Sequence, residues 1–187
     1  VRPPGHHAES NKTMGLCFLN NVAIAAKKAQ QPYGLKRIAI IDFDAHQGNG
    51  TINILADDPT FLICSSFQHP CFPFSHWRNI HNNVFNIALA EKTTGIDMRR
   101  LVEKDWLQQL QDFKPQLTIV SAGFDAHIKD PTADLEWDAK DYAWLGAFLS
   151  DINKENPDNK ILAVLEGGYH LEALAQSAIE FISHFKE

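Results

Sequence analysis

The chain has 187 residues, 44% of them hydrophobic, and carries a net charge of −6 from 17 Lys and Arg against 23 Asp and Glu. That length supports one core and excludes two ordinary domains, and the scatter of basic residues excludes a direct nucleic-acid footprint. No signal peptide or membrane-length apolar run is present, and Cys17, Cys64 and Cys71 lack paired thiolate spacing, so the expectation is a soluble protein of the reducing cytoplasm.

In chain order, a loop rich in Gly, Pro and His leads to a helix over residues 19–28, favoured by Ala23, Ala25 and Ala26 and ended by Pro32 and Gly34. Apolar runs predict strands at 37–41, 61–65 and 84–87, with 68–83 read as a long surface loop. The spacing of Leu101, Trp106, Leu107 and Leu110 predicts a helix over 99–111, and Pro115 introduces a strand at 117–121. A helix over 138–153, a strand at 161–165 and a last helix over 171–185 complete the chain. Strands alternating with helices predict an α/β fold, with a mostly parallel sheet buried between helical layers.

Reactive groups lie just beyond three of these strands: Asp42, Asp44 and His46 after the first, Asp125 after the fourth, and Tyr169 after the last. Open parallel sheets keep their sites at this edge. If strand alternation continues to residue 46, Asp42, Asp44 and His46 point to one side, so that Asp44 and His46 converge on one ion with Asp42 behind them. Asp125 is the candidate third ligand, leaving a fourth position for water or substrate as catalytic zinc requires. Oxygen-rich ligation also admits iron, cobalt or manganese. The competing assignment for a strand-end Asp is a helix N-cap, and for Gly48 to Thr51 a plain turn followed by an N-cap.

His6 and His7, behind Pro3, Pro4 and Gly5, have the chemistry of a base and an electrostatic partner, with Asp42 and Asn49 as candidate acceptors that set their tautomers. A tag remnant or surface pair is the other reading of adjacent histidines. Gly167 and Gly168 permit a tight path that aims Tyr169 into a site, where a neutral phenol is a good oxyanion donor; a turn tyrosine capping the last helix is the alternative.

Taken in order, Arg2-Pro3-Pro4-Gly5-His6-His7-Ala8, Gly15-Leu16-Cys17-Phe18-Leu19-Asn20-Asn21, Asp42-Phe43-Asp44-Ala45-His46 with Gly48-Asn49-Gly50-Thr51, Ser121-Ala122-Gly123-Phe124-Asp125-Ala126-His127 and Leu165-Glu166-Gly167-Gly168-Tyr169 resemble the histone deacetylase superfamily. The sequence is most similar to the bacterial branch with acetylpolyamine amidohydrolases and acetoin-utilisation proteins. The resemblance implies a three-layer arginase/deacetylase-like fold. It also implies that residues 1–187, which begin at Val1 without an initiator Met, are one partial catalytic domain lacking its N-terminal strands.

It further implies a zinc-dependent deacetylase that hydrolyses the acetamide of acetylated lysine, in a peptide or protein, or of acetylated small amines. Asp44, His46 and Asp125 are then zinc ligands, with Fe2+ or Co2+ as other occupants. His7 is the general base, His6 its partner paired to Asp42, and Tyr169 the oxyanion donor. Gly15, Leu16, Phe72, Gly167 and Gly168 are assigned to substrate binding, Leu16 standing where the family often has an aromatic and Phe72 supplying the channel aromatic. The region of Asp42 and Ser65 is assigned a potassium ion. The alternative reading is a catalytically impaired truncated homologue that keeps its metal and binds acyl ligands. The oligomeric state is left open.

Overall fold

The computed structural model describes residues 3–185; Arg2, which opens the first motif, lies outside them. Five parallel strands form one sheet: β1 (Ile38–Asp42), β2 (Phe61–Gln68), β3 (Val84–Leu89), β4 (Leu117–Ala122) and β5 (Lys160–Leu165), in the order β3-β2-β1-β4-β5. The chain runs outward from β1 through β2 to β3, then returns to the other side of β1 for β4 and β5. This reversal opens a crevice beyond the carboxyl ends of β1 and β4, the place where open α/β sheets bind ligands. Asp42 ends β1 and is in register with Ser65 on one side and Ser121 on the other.

Alternation along the strands splits the core in two. Ile38 and Ile40 of β1, Ile63 of β2 and Ile119 of β4 face one layer, where they pack with Val22 and Ala26 of α1 (Asn21–Tyr33) and Ile52 and Leu55 of α2 (Asn49–Leu55). Ile41, Cys64 and Val120 face the other. There they meet Met98 and Val102 of α3 (Gly95–Asp105), Leu110 of α4 (Leu107–Phe113), Leu145 and Leu149 of α5 (Ala139–Glu155) and Phe181 of α6 (Leu171–Ile182). Every residue of β1 is buried because both its neighbours and both its faces are covered. Strand β5 departs from the expectation of a buried strand. It pairs with β4 alone, and Leu162 stays 44% exposed, because an edge strand has one covered flank.

Helix boundaries also depart from expectation. Helix α1 starts later, where the Asn20 side chain accepts from Ala23 N at 2.9 Å, and Pro32 lies inside its last turn. A proline so near the end forgoes little of the ladder; Gly34, at φ 62°, is what turns the chain away. The single helix expected over 99–111 begins earlier, at the Thr94 cap, and breaks at Trp106, whose buried indole donates to Phe85 O at 3.1 Å. Helix α6 ends at Ile182, although Phe185 beyond it still packs on the core. Helix α5 carries a capping box between Asp138 and Asp141, which sets its start sharply.

Candidate active site

Strand alternation does not carry β1 through to His46: the strand stops at Asp42 and the backbone bends. Side-chain bonds to the backbone shape the bend instead. Asp42 Oδ1 accepts from Asp44 N at 3.2 Å, Asp44 Oδ1 from His46 N at 2.9 Å, and Asp125 Oδ1 from Ala45 N at 2.9 Å. Asp44, His46 and Asp125 come together by this route, with ligand atoms all within 4.8 Å of one another. His46 Nδ1 lies 2.9 Å from Asp125 Oδ2 and 3.1 Å from Asp44 Oδ1, while its Nε2 meets Thr132 O at 3.2 Å. The carbonyl accepts from Nε2–H, which leaves Nδ1 aimed at the carboxylates.

The charges of this cluster favour a cation at its centre. Burial raises Asp125, with the Asp44 charge adding to it, to about 6. Burial opposes ionisation of Asp44 as well, yet His6 and His46 hold its carboxyl well below the usual range. His46 is pushed far up, because its bonds to Asp125 and Asp44 outweigh burial. Two buried carboxylates thus converge on one imidazole nitrogen, an electrostatic demand that a divalent metal would meet. Gly167 closes the cluster from β5: its N–H donates to Asp44 Oδ2 at 2.8 Å, and a Cβ there would lie 2.4 Å from Asp125 Oδ2. A side chain at that position would have to displace the carboxylates.

His6 and His7 lie side by side next to the cluster, with ring centroids 4.1 Å apart and the ring planes tilted by 41°. His6 Nδ1 lies 2.9 Å from Asp42 Oδ2, and His7 Nδ1 lies 2.8 Å from Asn49 Oδ1. Their environments pull them apart. Burial lowers His6, but Asp42, Asp44 and Glu166 overcome it and hold the imidazole well above its ordinary value. His7 falls to about 3, through burial and the neighbouring His6 charge. Asp42 is raised to about 6 by burial, against the opposing pull of His6.

A cleft of about 370 Å³ opens above these groups, lined by His7, Gly15, Leu16, His46, Phe72, Thr132 and Tyr169. The Phe72 ring stands edge-on to His7 at 5.0 Å, and Gly15 lies flat against the His7 imidazole, where a Cβ would come within 2.3 Å of Cδ2. Leu16 is 68% exposed at the rim. Asp42, Asn49 and Ser65 are buried behind the cleft. Gly167 and Gly168 do not line it: the first packs on Asp44 and Asp125, the second on Leu174 and Phe124.

A family model of the histone deacetylase domain matches residues 1–185. The chain belongs to the histone deacetylase family. Histone deacetylase 14, chloroplastic, of Arabidopsis thaliana is 39% identical over 186 residues, which cover 96% of this chain and 44% of that protein. Polyamine deacetylase HDAC10 of Mus musculus is 39% identical over 189 residues, covering 95% and 28%. The solved structure of an acetylpolyamine aminohydrolase from Burkholderia pseudomallei superposes with a TM-score of 0.89 at 27% identity, covering 98% of this chain and 54% of that one. The fold is therefore the α/β fold of the deacetylases. The chain spans about half the length of the curated relatives it matches.

Several residues that hold this deacetylase-family site together are silent in the sequence reading. Glu166 Oε2 accepts from Gly5 N at 2.6 Å and His6 N at 3.2 Å, and Oε1 from Ser121 Oγ at 3.1 Å. Asn20 donates to Ala8 O and Thr51 Oγ1, each at 3.2 Å, while capping α1. The histidine loop is thus held by buried polar side chains. Glu166 had a visible signal, being the one charge in an apolar and glycine stretch; Asn20 had only the N-cap pattern. Tyr169 does not cap α6, a role taken by His170. Among the described residues, no helix is long and apolar enough to cross a membrane.

Proposed function

We propose that this chain carries the catalytic centre of a metal-dependent deacetylase, which hydrolyses an acetamide to acetate and a free amine. The observation that carries the reading is one cleft lined by His7, His46 and Tyr169, with Asp44 and Asp125 clustered around His46 at its base. Asp44, His46 and Asp125 would hold the ion. Zinc suits such a nitrogen and oxygen set with room for a further ligand, and Fe2+ or Co2+ are compatible with the same donors. When bound, the metal supplies Lewis-acid polarisation of the acetamide carbonyl and of the attacking water.

The remaining steps belong to the chain's own residues. His7, neutral and lining the cleft, removes the proton from the attacking water, oriented by Asn49. His6, buried and paired with Asp42, carries positive charge beside it and favours the negative charge that develops on the substrate. Tyr169 donates to the carbonyl oxygen as it becomes an oxyanion. The proton held on the histidine pair then passes to the leaving amine.

Substrates of this class are an acetylated lysine side chain or an acetylated small amine. Gly15, Leu16 and Phe72 give the cleft an apolar wall for a methylene stem, and two of the relatives are named for polyamine substrates. Asp42 and Ser65 are register partners, and Ser65 Oγ is buried without a hydrogen-bond partner, which supports a potassium ion beside them. Three free cysteines fit a reducing compartment such as the cytoplasm. One experiment tests the central reading: acetate release from a fluorogenic acetyl-lysine peptide and from an acetylated diamine, by protein loaded with zinc. Release abolished by chelation and by His7→Ala is the expected result. Tight hydroxamate binding without any turnover would replace the reading with an acyl-binding module.

A further inference from the structure

Asp130 belongs neither to the metal cluster nor to the cleft lining, yet its carboxylate is buried, 6% exposed, and receives donors on both oxygens. Oδ2 accepts from Tyr169 N at 2.6 Å and from His170 N at 3.1 Å. Oδ1 accepts from Thr132 N at 3.1 Å and Thr132 Oγ1 at 2.7 Å. Thr132 in turn presents its carbonyl to His46 Nε2 at 3.2 Å and lines the cleft between the two. A single carboxylate therefore connects the backbone of the phenol donor to the ring of a metal-ligating histidine.

We propose that Asp130 is a positioning residue that fixes Tyr169 and His46 relative to one another across the cleft. The proposal rests on the reading of Tyr169 as the oxyanion donor. The need for such a brace is local: Tyr169 follows Gly167 and Gly168, the latter at φ 125°, so the chain that delivers the phenol has little conformational preference of its own. Two charge-assisted bonds to Tyr169 N and His170 N remove that freedom at the entry to α6, where the helix N-terminus also favours a carboxylate. Aspartate is required by the donor count. An asparagine has one acceptor oxygen and must abandon either the Tyr169 and His170 amides or the Thr132 pair.

A double-mutant cycle on the intact, metal-loaded protein tests this, reading kcat and KM for deacetylation and, separately, metal affinity by chelator competition. Asp130→Asn is expected to lower kcat by about 10- to 100-fold with KM within about threefold, the mark of a misplaced transition-state contact. In a Tyr169→Phe background the same substitution should cost less than about threefold, because the group being positioned is gone. Metal affinity should fall about tenfold in Asp130→Asn and hold in Tyr169→Phe. Equal losses in both backgrounds would show that Asp130 does not act through Tyr169, and unchanged metal affinity that it does not act through His46; either overturns the proposal. Full activity in Tyr169→Phe alone would overturn the reading of the phenol, and the proposal with it. Should Asp130→Asn not fold, Asp130→Glu, which keeps the charge but displaces it by one methylene, takes its place in the cycle with the same expected results.

Discussion

His7 Nδ1 lies 2.8 Å from the amide oxygen of Asn49, a neutral acceptor. Its neighbour His6 has a carboxylate, that of Asp42, in the corresponding place. The difference divides the pair, since a neutral partner leaves burial and the His6 charge free to depress His7 to about 3. Asn49→Asp should reverse this. A carboxylate favours the charged imidazole, and Glu9, which accepts from Asn49 Nδ2 at 2.7 Å, adds repulsion that is relieved by a proton. The acid limb of the kcat/KM profile is expected to move to higher pH by about one to three pH units. A limb that stays in place would remove His7 from the role of base.

The same burial couples folding to pH. His7 takes up a proton near its ordinary value of 6.5 in the unfolded chain but only near 3 in the folded one. The unfolded state binds more protons in that window, so the contribution to stability is complete above 6.5 and is lost as pH falls towards 3. Urea midpoints measured across this range should decline less steeply in His7→Phe than in the parent.

Tyr169→Phe removes the phenol hydroxyl and keeps the ring. By analogy with the loss of one oxyanion donor, kcat should fall by about 10²- to 10³-fold with a smaller change in KM. Steady-state kinetics would show it, and a loss confined to KM would mean that the hydroxyl only binds substrate.

Metal binding should raise the melting temperature as well as activity. An ion that binds only the folded state adds about 4 kcal/mol when its free concentration is 1,000 times its dissociation constant. Thermal melts with and without zinc are the check. His46→Ala should abolish the zinc-dependent rise, because it removes one of the clustered donors.

Gly167→Ala forces a Cβ to within 2.4 Å of Asp125 Oδ2 and 2.6 Å of Asp44 Oδ2. Both carboxylates must shift, so metal affinity is expected to drop by at least about tenfold, in line with other disturbances around metal ligands. Chelator competition measures it. Retained affinity would place the metal away from these oxygens.

Much of the fold was legible because hydrophobic runs are local. All the expected strands are present, since continuous apolar stretches such as Ile38 to Ile41 have no stable place except between two helical layers. Boundaries were less legible. Pro32 does not end α1, and Trp106 splits a helix that periodicity shows as continuous, because its indole is drawn to Phe85 O on a strand distant in sequence.

The candidate site divides in the same way. Asp44, His46, Asp125, His6, His7 and Tyr169 could be named from the sequence, because their residue types and their places in the motifs declare a chemistry. What brings them together could not. Asp44 and His46 converge through a bend held by side-chain bonds, not through strand alternation. Glu166 holds the histidine loop across 160 residues of chain, and Asp130 reaches Tyr169 across 39. Such contacts leave no periodicity or spacing to read. The sheet and the reactive groups follow from local residue type; the distances and charges among them follow from which distant groups share a buried volume, and that is a property of the folded chain.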